Sequence, residues 1–112
     1  MKPQSAKAKG RKLQQLVIQK LIKELGIHEE DIENRSMGAG GEDVIMARAA
    51  RDKFPFSVEC KNTEKLAIWS ALEQAEENSE DYAPLVIFKR NRSEVYCAFK
   101  FDDLLKILTG RM

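Results

Sequence analysis

Phe54-Pro55-Phe56-Ser57-Val58-Glu59-Cys60-Lys61-Asn62 is the stretch from which the fold is read. From Pro55 to Lys61 apolar and polar side chains alternate strictly, the period-two signature of a strand. Successive side chains on a strand point to opposite faces, so Ser57, Glu59 and Lys61 share one face and Phe56, Val58 and Cys60 the other. Upstream, the glycine-rich run Ser36-Met37-Gly38-Ala39-Gly40-Gly41 reads as a loop leading into a second strand at residues 42–47, followed by a short polar connection at 48–53. An antiparallel hairpin of these two strands brings Asp43 beside Glu59 and Lys61. Two carboxylates and an ammonium then meet at one sheet edge.

The rest of the chain supplies helices to flank such a sheet. Leu13, Leu16, Val17, Leu21 and Leu25 recur at three- and four-residue spacing, with Gly26 as a helix stop. Residues 27–35 are acidic and irregular. Residues 66–78 read as a second helix with Ile68, Trp69, Leu72 and Ala75 on its inward side. Residues 84–88 and 95–99 are two further strands, joined through Lys89-Arg90-Asn91-Arg92-Ser93, and a last helix starts near Asp102. The predicted class is α/β, a mixed β-sheet flanked by α-helices.

Length and composition bound the function. A chain of 112 residues, 43% hydrophobic and 33% charged, makes one soluble domain, expected to be intracellular and cytoplasmic. No run approaches the ~20 apolar residues of a membrane span. The formal charge is +1, yet Lys2, Lys7, Lys9, Arg11 and Lys12 precede the first acidic residue, Glu24. Residues 1–10 therefore read as a mobile basic arm and 11–112 as the folded domain. Beyond those five positive residues the body is net negative, so a polyanion must be held by local patches: the arm (Lys9, Arg11, Lys12), the turn with Lys89, Arg90 and Arg92, and Arg35 and Ser36 beside the glycine-rich loop. Cys60 and Cys97 lack zinc or redox spacing and read as reduced, buried thiols. His28 reads as a surface residue. The glycines fit no phosphate-loop or dinucleotide motif, so no nucleotide cofactor is expected.

Two close carboxylates repel, and a divalent cation relieves that repulsion; Mg²⁺ in particular takes one or two protein carboxylates and completes its shell with water and phosphate. Asp43 and Glu59 therefore form a candidate metal site. Spacing alone favours a blander arrangement, with Asp43 starting a strand at a turn and Glu59 and Lys61 forming a solvated ion pair on an amphipathic strand.

The stretches Gly38-Ala39-Gly40-Gly41-Glu42-Asp43-Val44, Phe54 to Asn62, Trp69-Ser70-Ala71-Leu72-Glu73-Gln74-Ala75 and Pro84 to Arg92 together resemble the phage-encoded branch of the PD-(D/E)XK nucleases, a branch similar to archaeal Holliday junction resolvases. The resemblance implies a restriction-endonuclease-like fold and a metal-dependent endonuclease using Mg²⁺ or Mn²⁺. It implies that Asp43, Glu59 and the backbone carbonyl of Cys60 bind the metal, that Lys61 orients the attacking water, and that Gln74 lines the site. It also implies branched DNA, a four-way junction, as substrate and a homodimer as the assembly, working in the host cytoplasm if the protein is phage-encoded. The archaeal resolvases carry a glutamate on the first helix where Gln14 stands here, which points to one metal rather than two and keeps open a DNA-binding module without chemistry. Flap, nick and duplex endonucleases share the same motifs.

Overall fold

The computed structural model describes residues 5–35 and 40–112. Helix α1 (Ala6–Leu25) starts at Ser5, whose Oγ accepts from the Ala8 N–H at 3.2 Å. It ends where Gly26 adopts φ 67° and donates its N–H to Ile22 O at 3.1 Å, the left-handed cap that glycine takes without steric cost. Residues 6–10, read from sequence as part of a mobile arm, are helical, because the serine cap starts the helix ahead of the apolar stripe. Residues 1–4 lie outside the described residues.

After a 3-10 turn (Glu29–Asp31), in which His28 Nδ1 accepts from Glu30 N–H, the chain forms β1 (Ile32–Asn34). This strand pairs antiparallel with β2 (Val44–Met46), Ile32 opposite Met46. Three sequence expectations are corrected here. The acidic segment before the glycine-rich loop contains a strand, and β2 takes β1 as its ladder partner rather than the Phe56 strand. The polar connection becomes a helix, α2 (Arg48–Lys53).

Strand β3 (Phe56–Asn62), helix α3 (Ile68–Asn78) and strand β4 (Ala83–Lys89) form a βαβ unit, with β3 and β4 parallel and Glu59 opposite Val86. Strand β5 (Tyr96–Phe99) returns antiparallel to β4, and α4 (Phe101–Leu108) follows. The sheet order is β3-β4-β5, so the protein is α/β with a mixed sheet between helices, as the alternation of elements predicts.

The sheet is covered on both sides. Leu13 and Val17 of α1 pack on Phe56, Val58, Cys60, Leu85 and Ile87, while Ala71 and Ala75 of α3 pack on Val86 from the opposite face. A strand with one wet face would leave its polar residues in solvent, yet Ser57 and Glu59 are 1% and 2% exposed. Covering both faces of the parallel pair places a carboxylate inside the molecule. Trp69, expected to face inward, is 78% exposed: the inward side of α3 is built of alanines, which let its backbone lie close to the sheet. Of the cysteines, Cys60 is buried as expected, whereas Cys97, also expected to be buried, is exposed.

Candidate active site

A cleft of about 510 Å³ opens at the carboxyl end of β3, bounded by the start of α1, the loop before β2 and one flank of α3. Asp43, Glu59, Lys61, Gln74 and Gln14 all line it. Asp43 is positioned by backbone contacts rather than by a hairpin. Its N–H donates to Val58 O at 2.8 Å, its Oδ2 accepts the Cys60 N–H at 2.7 Å, and its carbonyl accepts the Arg35 N–H at 2.9 Å. The sequence reading thus reaches the correct neighbours through a different pairing.

Glu59 rises from the same strand, and its Oε1 accepts from Asn78 Nδ2 at 2.6 Å. Burial pushes its carboxyl up from 4.5 to about 7; the Asn78 bond pulls the other way, and the charge of Asp43 adds to the rise. Lys61, half-buried, donates from Nζ to Gln74 Oε1 at 2.7 Å. Cys60 turns its side chain into the core, where burial and the two neighbouring carboxylates push its thiol pKa up. The thiol is therefore neutral and unreactive, and Cys60 reaches the cleft through its backbone. Gln14, 3% exposed, enters from α1.

The supporting contacts are local. Gly41 holds φ 97°, and a Cβ there would lie 3.1 Å from the guanidinium carbon of Arg35. Arg35 lines the cleft and donates from Nε to Glu42 O at 2.6 Å. Glu42 is in turn held by Arg51, which also donates to Phe56 O at 2.9 Å and lies over the Tyr82 ring at 4.6 Å. Arg51 is buried, so this clamp fixes the loop before β2 against β3. Asn62 Nδ2 donates to Lys9 O at 3.2 Å and ties the start of α1 to the end of β3.

The predicted polyanion contacts are distributed unevenly. Lys9 is half-buried and Arg11 and Lys12 are exposed on α1; none of the three lines the cleft. The Lys89–Arg92 turn lies outside the cleft but at the same end of the sheet. Thr63 N–H donates to Lys89 O at 3.2 Å, and Asn91 N–H to Glu64 Oε1 at 3.2 Å. Arg90 and Arg92 are exposed there. Ser36 lies outside the described residues.

Sequence reasoning misses Asn78 and Arg51. Asn78 follows Gln74 by four residues and so shares its helix face, a spacing that could have shown it. Arg51 gives no such signal, because a buried arginine in a six-residue helix looks like surface.

The donor set fits one hard divalent cation. Among the described residues no three His, Cys, Asp or Glu side chains gather at one point. What the cleft offers is the Asp43 and Glu59 carboxylates, with Glu77 also on its lining, backbone carbonyl oxygen and neutral amides, a composition that suits an ion retaining water and substrate phosphate in its shell. The raised Glu59 carboxyl has the same sense: near neutrality the metal-free site resists two negative charges, and a cation removes that resistance.

A loop aspartate brought against the Glu-x-Lys of a buried strand, beneath an amide-bearing helix, defines the PD-(D/E)XK nuclease class, whose members generally use divalent metals. The chain belongs to the family described as "Phage putative PDDEXK endonuclease", which matches residues 5–111. No curated protein and no solved structure matches it. No helix among the described residues is long and apolar enough to cross a membrane.

Proposed function

We propose that this protein is a structure-specific DNA endonuclease that uses Mg²⁺ or Mn²⁺ to hydrolyse phosphodiester bonds in branched DNA, with the four-way junction as its substrate. The observation that carries the reading is the convergence of Asp43, Glu59 and Lys61 in one open cleft. Asp43 and Glu59, with the Cys60 carbonyl, would hold the cation, which when bound supplies charge stabilisation on the scissile phosphate and a more acidic water.

The remaining work falls to the chain. Asn78 fixes which way the Glu59 carboxylate points. Lys61 presents an ammonium that holds the attacking water or a phosphate oxygen, and Gln74 holds that ammonium in place. Gln14 adds a neutral amide where a further carboxylate would draw a second cation. Arg35 beside the cleft, and Lys89, Arg90 and Arg92 at the same end of the sheet, supply phosphate contacts that set the position of the backbone without reading sequence. Lys9, Arg11 and Lys12 extend that surface along α1. Contacts of this kind favour recognition by shape.

The test is a panel of end-labelled four-way junction, flap, nicked and linear duplex substrates, each with Mg²⁺, Mn²⁺ or EDTA. Symmetric metal-dependent nicks in the junction support the reading. Cutting of flap or duplex at equal rate replaces the substrate, and binding without cutting in any metal makes the protein a DNA-binding module.

A further inference from the structure

Strand β4 ends in Phe88-Lys89 and β5 begins at Tyr96, and their antiparallel pairing sets Phe88 opposite Tyr96. The two rings stack, with centroids 6.1 Å apart and planes 30° from parallel. Phe88 is half-buried with Leu66, Ile68 and Leu72 around the Val86 core, whereas Tyr96 is 58% exposed. Tyr96 is thus held from one side and presents aromatic surface to solvent. It forms one wall of a pocket of about 320 Å³ between the β4–β5 turn and the loop that follows β3.

Lys89 and Arg90 put positive charge on the rim of this pocket. Glu64 is the one acid among the described residues that line it; its Oε1 accepts the Asn91 N–H at 3.2 Å and braces the two walls against each other. Ser93 Oγ accepts the Arg90 N–H at 3.0 Å and holds the turn closed. The pocket also adjoins the catalytic cleft, because Thr63 lines both. Lys61, Phe88 and Tyr96 are register partners across β3, β4 and β5 and so rise from one face of the sheet. With neighbouring strands about 4.8 Å apart, Tyr96 starts ~10 Å from Lys61. That is about three nucleotides along a stacked strand, and fewer along an extended one.

We infer that this pocket takes one unpaired base of the DNA strand that enters the cleft, stacked on Tyr96 with its flanking phosphates against Lys89 and Arg90. The inference rests on the nuclease reading for its ligand and adds what selects the DNA. An aromatic surface beside cations is the pairing that holds single strands, the ring taking the base face and the cations the backbone. An apolar segment of protein would leave both cations unused. Every base has a π face, so the stack reads no sequence. It reads geometry instead: unstacking costs least for a base that is already unpaired, so the pocket ranks DNA by whether such a base lies within a few nucleotides of the cut.

The experiment is fluorescence anisotropy of the full chain in EDTA, where binding is read without cleavage. The probes are a labelled four-way junction with one extra unpaired adenine at the branch point and the same junction with an abasic residue there, which keeps every phosphate. Wild type is expected to bind the adenine junction about tenfold more tightly than the abasic one. Tyr96→Ala should bind both with the affinity wild type has for the abasic junction, with unchanged circular dichroism, and Tyr96→Phe, which keeps the ring, should retain the preference. Equal affinity of wild type for the two junctions overturns the inference and leaves the nuclease reading standing if the junction is still cut. A Tyr96→Ala variant that keeps the preference, or that weakens both junctions alike, also overturns it, as does an absence of binding to either. Base-dependent binding lost in Tyr96→Ala, by a protein that cuts no DNA in any metal, supports the pocket and removes the nuclease reading.

Discussion

Replacing Glu59 by Gln should stabilise the metal-free protein while removing its activity. Glu59 is 2% exposed, and burial raises its carboxyl from 4.5 to about 7. Between those two values the folded state binds more protons than the unfolded state, so stability falls as pH rises through the window. Below about pH 4 the carboxyl is protonated in both states and the penalty is absent; above pH 7 it is fully present. At about 1.4 kcal/mol per pH unit the penalty reaches roughly 3 kcal/mol. The substituted amide is neutral at every pH and keeps an oxygen for the Asn78 amide. Thermal unfolding in EDTA should therefore show the Glu59→Gln variant melting on the order of 10–20 °C above wild type at pH 8, a domain of this size shifting about 4–8 °C per kcal/mol, with the two converging near pH 4. Adding Mg²⁺ at pH 8 should raise the wild-type melting temperature and leave the variant nearly unchanged. Equal melting temperatures at pH 8, or a variant less stable there than at pH 4 relative to wild type, would refute the claim that Glu59 is a buried carboxylate awaiting a cation.

Three further outcomes follow from the same contacts. Asn78→Ala removes the 2.6 Å bond to Glu59 and should weaken metal affinity and cleavage about 10–100-fold, the usual cost of losing a partner that orients a ligand, with the circular dichroism spectrum unchanged; calorimetric metal titration checks it. Gln14→Glu adds a further carboxylate to the cleft and should tighten divalent binding or raise its stoichiometry above one, whereas identical titrations would place Gln14 outside the metal's reach. Neutralising Arg90 and Arg92 together should weaken junction binding and flatten its salt dependence by about one log-log unit per lost phosphate contact, and an unchanged slope would mean that DNA is held elsewhere.

The parts of the fold that are legible in the sequence are those where burial and periodicity coincide. The alternation in Phe56–Asn62 and the stripe ending at Gly26 announce β3 and α1 directly. The order helix-strand-strand-helix-strand-strand-helix yields the class. Strand β1 stays hidden because Ile32 is its one buried residue. Helix α2 stays hidden because its buried side is Ala50 and a clamped Arg51, which read as polar linker. The pairing of β2 is misread for a geometric reason: Asp43 reaches β3 through one backbone bond and one carboxylate bond, and spacing cannot tell such a contact from a ladder. The centre is nonetheless visible, since Glu59 and Lys61 need only a strand to share a face. Its support by Arg51 depends on tertiary contacts that no local pattern encodes, whereas Asn78 is signalled by its four-residue spacing from Gln74 alone.

The central claim is that Asp43, Glu59 and Lys61 form a metal-dependent nuclease centre, and the most direct measurement is single-turnover cleavage of a labelled four-way junction by wild type, Asp43→Asn and Lys61→Ala, with Mg²⁺ and with EDTA, alongside binding of the same junction. The account predicts cleavage by wild type in Mg²⁺ alone, a loss of at least about 100-fold in each variant, and junction binding retained in both. Cleavage by wild type in EDTA, or near-wild-type cleavage by either variant, would contradict it.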